Sequence, residues 1–439
     1  GAVMGQCKVM GIRAVGFMAL FGLAGCMSTP GGGEVSRFMS KDPAPKMSEA
    51  EKEAAESIII SDLQARRTVL PPGGAYAQVA APVLEAYSRP AEAELRSARL
   101  RAKAASKNWL PRIGPNISLT SLSDIVAQLV VEQVLFDNGR KKAERAFAKA
   151  DVEAAAVTLA EDTNERVYTA LSLYLEASKA RERLGIERAT LKDMEHFEWV
   201  MDERVKGGVS DMSDLNVLRQ KLAEIRSTLA AQQEAEATAV AELNAMSVRP
   251  LDDVTGMSDV AVVGTVAKPL SVLQAEAKKE REIASAKMER AGLLPGVTAG
   301  GSLGDNASGI GINVKSDQLL GLGTVDSMKA LDVAREAADR RVGQAEEDAN
   351  RRLRRLETRL SALSRQVSEA GALAQQAKAN LDLFQRQYDA GQRQVMDVVG
   401  VYETFAARQA ARLDLKYELA ETRLKIARER GLLADGSSI

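Results

Sequence analysis

Histidine is nearly missing from this 439-residue chain: His196 is the single copy, and cysteine occurs only at Cys7 and Cys26. A lone histidine among charged residues of a helical stretch reads as a solvated side chain, so a His-based metal site or general base has no candidate. The sequence also lacks a Gly-x-x-x-x-Gly-Lys-Ser/Thr phosphate loop, a nucleophile elbow and paired carboxylates in a pocket context. Catalysis has no support here, and no metal or diffusible cofactor is expected. Aromatics are scarce at 4%, and there are only 12 prolines, against 45% hydrophobic and 27% charged residues. That balance, heavy in Ala, Leu, Glu, Arg and Gln, favours long helices over a globular α/β core. A net charge of −1 excludes a long-range field that would recruit nucleic acid. The run Arg351, Arg352, Arg354 and Arg355 surrounds Leu353 and Leu356, with Glu346, Glu347 and Glu357 nearby, and reads as a solvated helix face.

The N-terminus carries Lys8 and Arg13 ahead of an apolar run from Ala14 to Ala24. The run is shorter than the ~20 residues needed to span a bilayer. It ends in Leu23-Ala24-Gly25-Cys26, which resembles the lipobox of bacterial lipoproteins. The expectation is a lipoprotein signal peptide over 1–25 and a covalent diacylglyceryl and acyl lipid on Cys26, the alternative being an ordinary secretory signal that contains a Cys. Cys7 falls in the removed segment, so no disulfide is possible in the mature chain.

The rest of the chain is self-similar at an offset of 184 residues. Ala102 falls on Ala286, Leu110-Pro111 on Leu294-Pro295, Leu135 and Gly139 on Leu319 and Gly323, and Gly207 on Gly391. Each copy opens with a helix, over 83–107 and 269–291, with Pro90 and Pro269 early, where Pro costs a helix least. Leu-Pro ends it and a strand pair follows. Ile113, Pro115, Ile117 and Leu119 alternate with Gly114, Asn116, Ser118 and Thr120, the period of a strand with one apolar face. Val297, Ala299 and Leu303 repeat this, and the return strands are expected at 125–135 and 309–316, with turns at 122–124 and 304–308. Ile310, Ile312 and Val314 give the last strand a clear apolar side, whereas 125–135 mixes apolar and polar residues on both faces.

Long helical stretches come next. Leu353, Leu356, Leu360, Leu363, Val367, Ala370, Ala374, Ala377, Leu381, Phe384 and Tyr388 are spaced three and four apart, a coiled-coil seam. It resumes at Val399, Tyr402, Ala406, Gln409, Leu413, Tyr417, Ala420, Leu424 and Ala427, with Asp389-Ala390-Gly391-Gln392 as the hairpin tip between. From Met328 to that tip a helix of roughly 60 residues would run on the order of 90 Å. Four strands cannot close a barrel, and open sheet edges are not tolerated in lipid. Three chains supply about 12 strands, an even number wide enough to leave a lumen.

From residue 83 to the C-terminus the chain resembles TolC-type outer-membrane factors. The carrying motifs are Asn108-Trp109-Leu110-Pro111-Arg112-Ile113, Leu135-Phe136-Asp137-Asn138-Gly139-Arg140 and Arg386-Gln387-Tyr388-Asp389-Ala390-Gly391. The resemblance implies a mainly α fold with a small membrane β part: a tandem repeat of four strands and long coiled-coil helices, assembled as a homotrimer into a 12-stranded barrel and a helical tunnel. It implies an outer-membrane exit duct for solutes or polypeptides in a tripartite efflux or type I secretion system, partnered by a periplasmic adaptor and an inner-membrane pump. It places Tyr388 in the network that closes the tunnel and Asp397 at a constriction; the second constriction aspartate of that family falls on Gly400 here. In the first copy the matching position is Ser213, flanked by Asp211 and Asp214. For Asp211, Asp214 and Asp397 the alternative is a carboxylate that serves a helix start. Gly207 and Gly391 mark the hairpin tips for adaptor docking, and Trp109 is the one candidate anchor at the lipid interface. Segment 26–82 is read as a tether, 83–267 as the first repeat and 268–439 as the second. The competing reading is a coiled-coil structural lipoprotein of the envelope, without a pore.

Overall fold

A computed structural model describes residues 57–119, 125–304, 308–316 and 321–439. The segment 1–25 read as a signal peptide, Cys26, the turn at 122–124, most of 304–308 and Leu319 lie outside the described residues. The described chain runs α1 (Ile58–Ala65), α2 (Ala75–Ala86), α3 (Pro90–Ala105), β1 (Arg112–Leu119), β2 (Ile125–Phe136), α4 (Arg140–Lys206) and α5 (Met212–Ala245). There follow α6 (Leu270–Gly292), β3 (Gly296–Gly304), β4 (Gly309–Lys315), α7 (Thr324–Asp389), α8 (Val395–Glu429) and a short 3-10 turn, Gly436–Ser438.

The two long helices, α4 at 67 residues and α7 at 66, set the geometry. At 1.5 Å per residue each extends about 100 Å. Neither has proline in its interior, and each carries an apolar stripe that shorter helices cover in relay. In the first repeat α3 packs beside the sheet-proximal part of α4 and α5 returns along its far part; α6 and α8 do the same for α7. The seam read from sequence is the one used: Leu353, Leu360, Leu363, Ala374, Ala377 and Leu381 are buried on α7, as are Val399, Tyr402, Leu413, Tyr417, Ala420, Leu424 and Ala427 on α8.

Three apolar clusters hold the relay. Beside the sheet, α1, α3, α4 and α6 close over Leu63, Leu95, Val157 and Leu273. A mid-length cluster gathers Tyr76, Val79 and Val83 of α2, Val167 to Leu175 of α4, Leu251 to Val262 of the inter-repeat segment and Leu413 to Ala427 of α8. The last closes the far end around Met194, Phe197, Leu218, Leu381 and Val399.

From Ser57 on, the stretch read as a tether belongs to this fold. Pro71-Pro72 and Gly73-Gly74 mark a turn between two buried helices rather than a loose strap. Arg66, with only 5% of its side chain exposed, donates to Arg430 O at 2.5 Å and Lys268 O at 2.8 Å while paired with Asp62. It joins the N-terminal helices to the inter-repeat segment and the C-terminal tail. The helix expected over 83–107 is likewise two: Arg89 takes φ 47, and α3 restarts with Pro90 at its first turn.

Candidate functional site

Two regions carry the functional expectations: the four-stranded sheet and the hairpin tips at the other end of the helices. The sheet is antiparallel in the order β1-β2-β3-β4, so β1 and β4 each have one edge without a strand partner. Its register settles the sidedness that β2 left open. Ile113 faces Val131, Pro115 faces Leu129 and Ile117 faces Ala127. Leu129 and Val131 continue to Leu303 and Gly301, and Gly301, Ala299 and Val297 to Ile310, Ile312 and Val314. One face is therefore apolar across all four strands, and Ile310, at 96% exposure, shows how little of it the protomer itself covers. A contiguous exposed apolar face of this kind requires a non-aqueous or protein partner.

The opposite face is mostly polar or bare: Arg112, Gly114 and Asn116 on β1, Gln128, Val130, Glu132 and Val134 on β2, Thr298, Gly300 and Ser302 on β3, and Gly311, Asn313 and Lys315 on β4. A bulge at Val134/Phe136 ends this regular alternation. Just before it, the Gln133 amide donates to Trp109 O at 2.9 Å, which leaves the 60% exposed Trp109 indole at the helix-side rim of the apolar face.

The sheet-to-helix corners explain the motifs. Asp137 accepts from Gly139 N at 3.1 Å and Lys141 N at 2.7 Å, capping the start of α4 while Asn138 and Gly139 take positive φ. Asn138 Nδ2 donates to Pro295 O at 3.0 Å, tying the first repeat to the Leu-Pro corner of the second. Asn108 accepts from Arg145 at 2.8 Å and donates to Glu144 at 2.9 Å, fixing the α3–β1 corner against α4. In the second copy Gly321 N donates to Thr324 Oγ1 at 3.0 Å where the first uses Asp137.

At the tips the two copies match at an offset of 183, one less than elsewhere. Gly208 (φ 71) is the conformational counterpart of Gly391 (φ 75), whereas Gly207 is right-handed at φ −79. Val209 N returns to Arg204 O and Gln392 N to Gln387 O, each at 2.8 Å, the closing bonds of equivalent Schellman turns. The left-handed tip position is thus Gly208, not Gly207. Asp211 N-caps α5 and Gln394 N-caps α8. Asp214 thereby becomes the counterpart of Asp397, in the first turn of each helix, and Ser213 aligns with Met396.

Asp397 accepts from Gln394 N at 3.2 Å in a capping box, and Asp211 accepts from Ser213 N at 3.2 Å. Both carboxylates therefore serve helix starts. Tyr388 is half-buried against the far-end cluster. The first tip is ringed by Lys206, paired with Asp202 at 2.7 Å and Glu203 at 2.9 Å, and by Arg219, paired with Glu198 at 2.7 Å. The Lys206 hydrogen bond, helped by Arg219, holds the Asp202 carboxyl below the usual carboxylate range. On the second tip Arg393 lies 4.4 Å from the Phe384 ring centroid.

Sequence reasoning missed the bonds that join the two hairpins. Tyr402 Oη donates to Asp193 Oδ2 at 2.6 Å, and Tyr417 Oη donates to Glu182 Oε1 at 2.7 Å beside Lys416. Burial, followed by these carboxylate partners, raises both phenols above their ordinary range. Lys179–Asp414 and Lys221–Glu403 add ion pairs along the same α4–α8 and α5–α8 faces. Their only sequence signal is two tyrosines in the α8 seam.

No protein-family model and no curated protein sequence matches the chain. Solved structures do. The outer membrane protein VceC of Vibrio cholerae superposes with a TM-score of 0.69 at 16% identity, over 81% of this chain and 96% of that one. The open-state MtrE outer membrane channel of Neisseria gonorrhoeae gives 0.69 at 14% identity, over 85% and 94%. The CmeC outer membrane channel of Campylobacter jejuni gives 0.68 at 13% identity, over 83% and 87%. At such identities the likeness establishes the fold.

Proposed function

We propose, from a fold that is that of the TolC-type outer-membrane channels, that three copies of this chain form the outer-membrane duct of a multicomponent efflux system. The observation that carries the reading is the sheet. It has two open edges, an apolar face exposed on all four strands and a polar reverse face, and it sits at one end of helices about 100 Å long. Pairing β4 of one protomer with β1 of the next removes every open edge, and three copies give an even-stranded barrel of about 12 with a wet bore. The unpartnered outer surface of α7 then meets its neighbours and continues the wall as a tunnel.

In this assembly solutes or polypeptides leave passively, the energy coming from an inner-membrane pump met through a periplasmic adaptor at the hairpin tips. Gly391 and the Gly207–Gly208 pair shape those tips. Asp397 and Asp214, in equivalent first turns, bring symmetry-related carboxylates to the narrow end, where rings of like charge bind cations and bias passage. Cys26 would carry the lipid, with Trp109 at the interface. Ser57 contacts Glu153, only 13 residues into α4, so the 30 residues from Cys26 have ample reach to the membrane surface.

The test is purification in detergent followed by size determination and planar-bilayer recording. A heat-modifiable trimer with discrete conductance steps is expected. An elongated single protomer without conductance would support the envelope-spacer reading instead.

A further inference from the structure

We propose that Arg112 and Lys315 form an anion-attracting collar where the barrel meets the tunnel, favouring anionic over cationic solutes at that level of the duct. The proposal rests on the duct reading above, which makes the polar face of the sheet the lumen wall. Arg112, Glu132 and Lys315 all lie on that face, in its helix-side part. They line one recess of about 330 Å³ together with Thr298, Arg140 and Lys141. All three are exposed, and none has an ion-pair or hydrogen-bonding partner among the described residues.

The neighbouring carboxylates do not cancel this charge. Glu144 is paired with Arg140, and around the recess Arg112, Arg140, Lys141 and Lys315 outnumber Glu132, Asp137 and Glu144. On the sheet itself each protomer contributes two free cations against the single Glu132, which stands opposite Arg112 in the register. Lys315 is the uncompensated charge, and it closes β4 at the open edge, so three copies would recur around the bore.

The rest of the wall leaves the collar unopposed. Beyond it the described part of the face carries only Gly, Ser, Thr, Asn, Gln and Val, with Gly114, Gly300 and Gly311 contributing no side chain at all. A neutral, side-chain-poor bore is wide, and a field set by fixed charges at one level raises the local concentration of counter-ions there. The class of solute favoured is a small carboxylate, sulfonate or phosphate.

The test places a thiol on the same face with Asn313→Cys, opposite Thr298, in the full-length protein in detergent, and follows modification by an anionic and a cationic methanethiosulfonate reagent. Labelling of the wild-type chain is subtracted. At low salt the anionic reagent is expected to react faster, and adding Arg112→Gln and Lys315→Gln should lower the anionic-to-cationic rate ratio about tenfold. A ratio unchanged by those replacements, or an introduced thiol that reacts with neither reagent, would overturn the collar. The readout needs no open tip, so loss of bilayer conductance with an intact rate ratio would count against the duct alone.

Discussion

The two repeats share a skeleton but not a degree of self-sufficiency. In α4 the buried positions run from Ala143 to Met201 with hardly a gap. In α7 only Ala338 is buried ahead of Ala349, while Val325 and Val333 are 60% and 63% exposed. The first long helix is satisfied within its own chain, wrapped by α2, α3, α5, α6 and α8. The second leaves its sheet-proximal part exposed on the protomer. One copy of the repeat supplies the protomer's core, and the other supplies the surface that the proposed trimer would bury.

The largest effect expected from this difference is in the core. Leu171→Ala, at a fully buried site of α4, should cost about 2–5 kcal/mol of protomer stability. Val333→Ser in α7 should leave the protomer within about 0.5 kcal/mol yet weaken the trimer. Thermal unfolding followed by circular dichroism, with sedimentation in detergent, reads both; equal protomer losses would erase the contrast.

The junction between the repeats comes next. Tyr402→Phe removes a hydrogen bond to a charged partner, a loss of about 1.5–3 kcal/mol near neutral pH. Because the folded-state phenols are raised above their ordinary value of 10, their contribution is complete below pH 10 and declines as pH climbs toward the folded-state values. The gap between wild type and Tyr402→Phe should therefore narrow in alkaline buffer. A gap constant up to pH 12 would mean that Tyr402 ionises alike in both states.

A smaller effect tests the tip register. Gly208→Val forces a branched residue into a left-handed position, at about 1–2 kcal/mol, as does Gly391→Val, and both should impair adaptor docking while trimers persist. Gly207→Ala should be silent. The reverse pattern at 207 and 208 would restore the 184-residue offset at the tip.

Smallest of all is the pair Asp397→Ala and Asp397→Asn. Both remove the charge, but asparagine is the better mimic of the cap, which is worth about 1 kcal/mol. If Asp397 lines a constriction, both should alter cation block in bilayer recordings equally. A change with alanine only would assign the residue to the cap.

Much of the fold was legible because its signals are periodic. The apolar alternation of β1 and β4 and the three-four seam of α7 and α8 are repeated patterns that tertiary context did not override. What escaped lacked such a pattern. A one-residue shortening between Gly323 and the second tip has no landmark in a run of Ala, Arg, Glu and Leu, so the constant 184-residue offset pairs Gly391 with Gly207 instead of Gly208. The sidedness of β2 depends on which residues of β1 and β3 it meets, and Leu135 in the bulge blurs the alternation. Residues 57–82 read as part of a tether because Pro71-Pro72 and Gly73-Gly74 dominate a stretch whose burial depends on partners far away in the chain, such as Tyr174 for Tyr76 and Ile439 for Gln64. The tip carboxylates show a different limit: for Asp211 and Asp397 the sequence carries both a constriction and a helix-start reading, and whether they face a bore depends on neighbouring copies.

The most direct measurement is an electron-microscopy reconstruction of the detergent-purified protein. Threefold particles should appear with a continuous axial cavity, strands closed between β4 and β1 of adjacent copies, and helices extending about 100 Å beyond the micelle. Solitary protomers, or an assembly solid along its axis, would contradict the account.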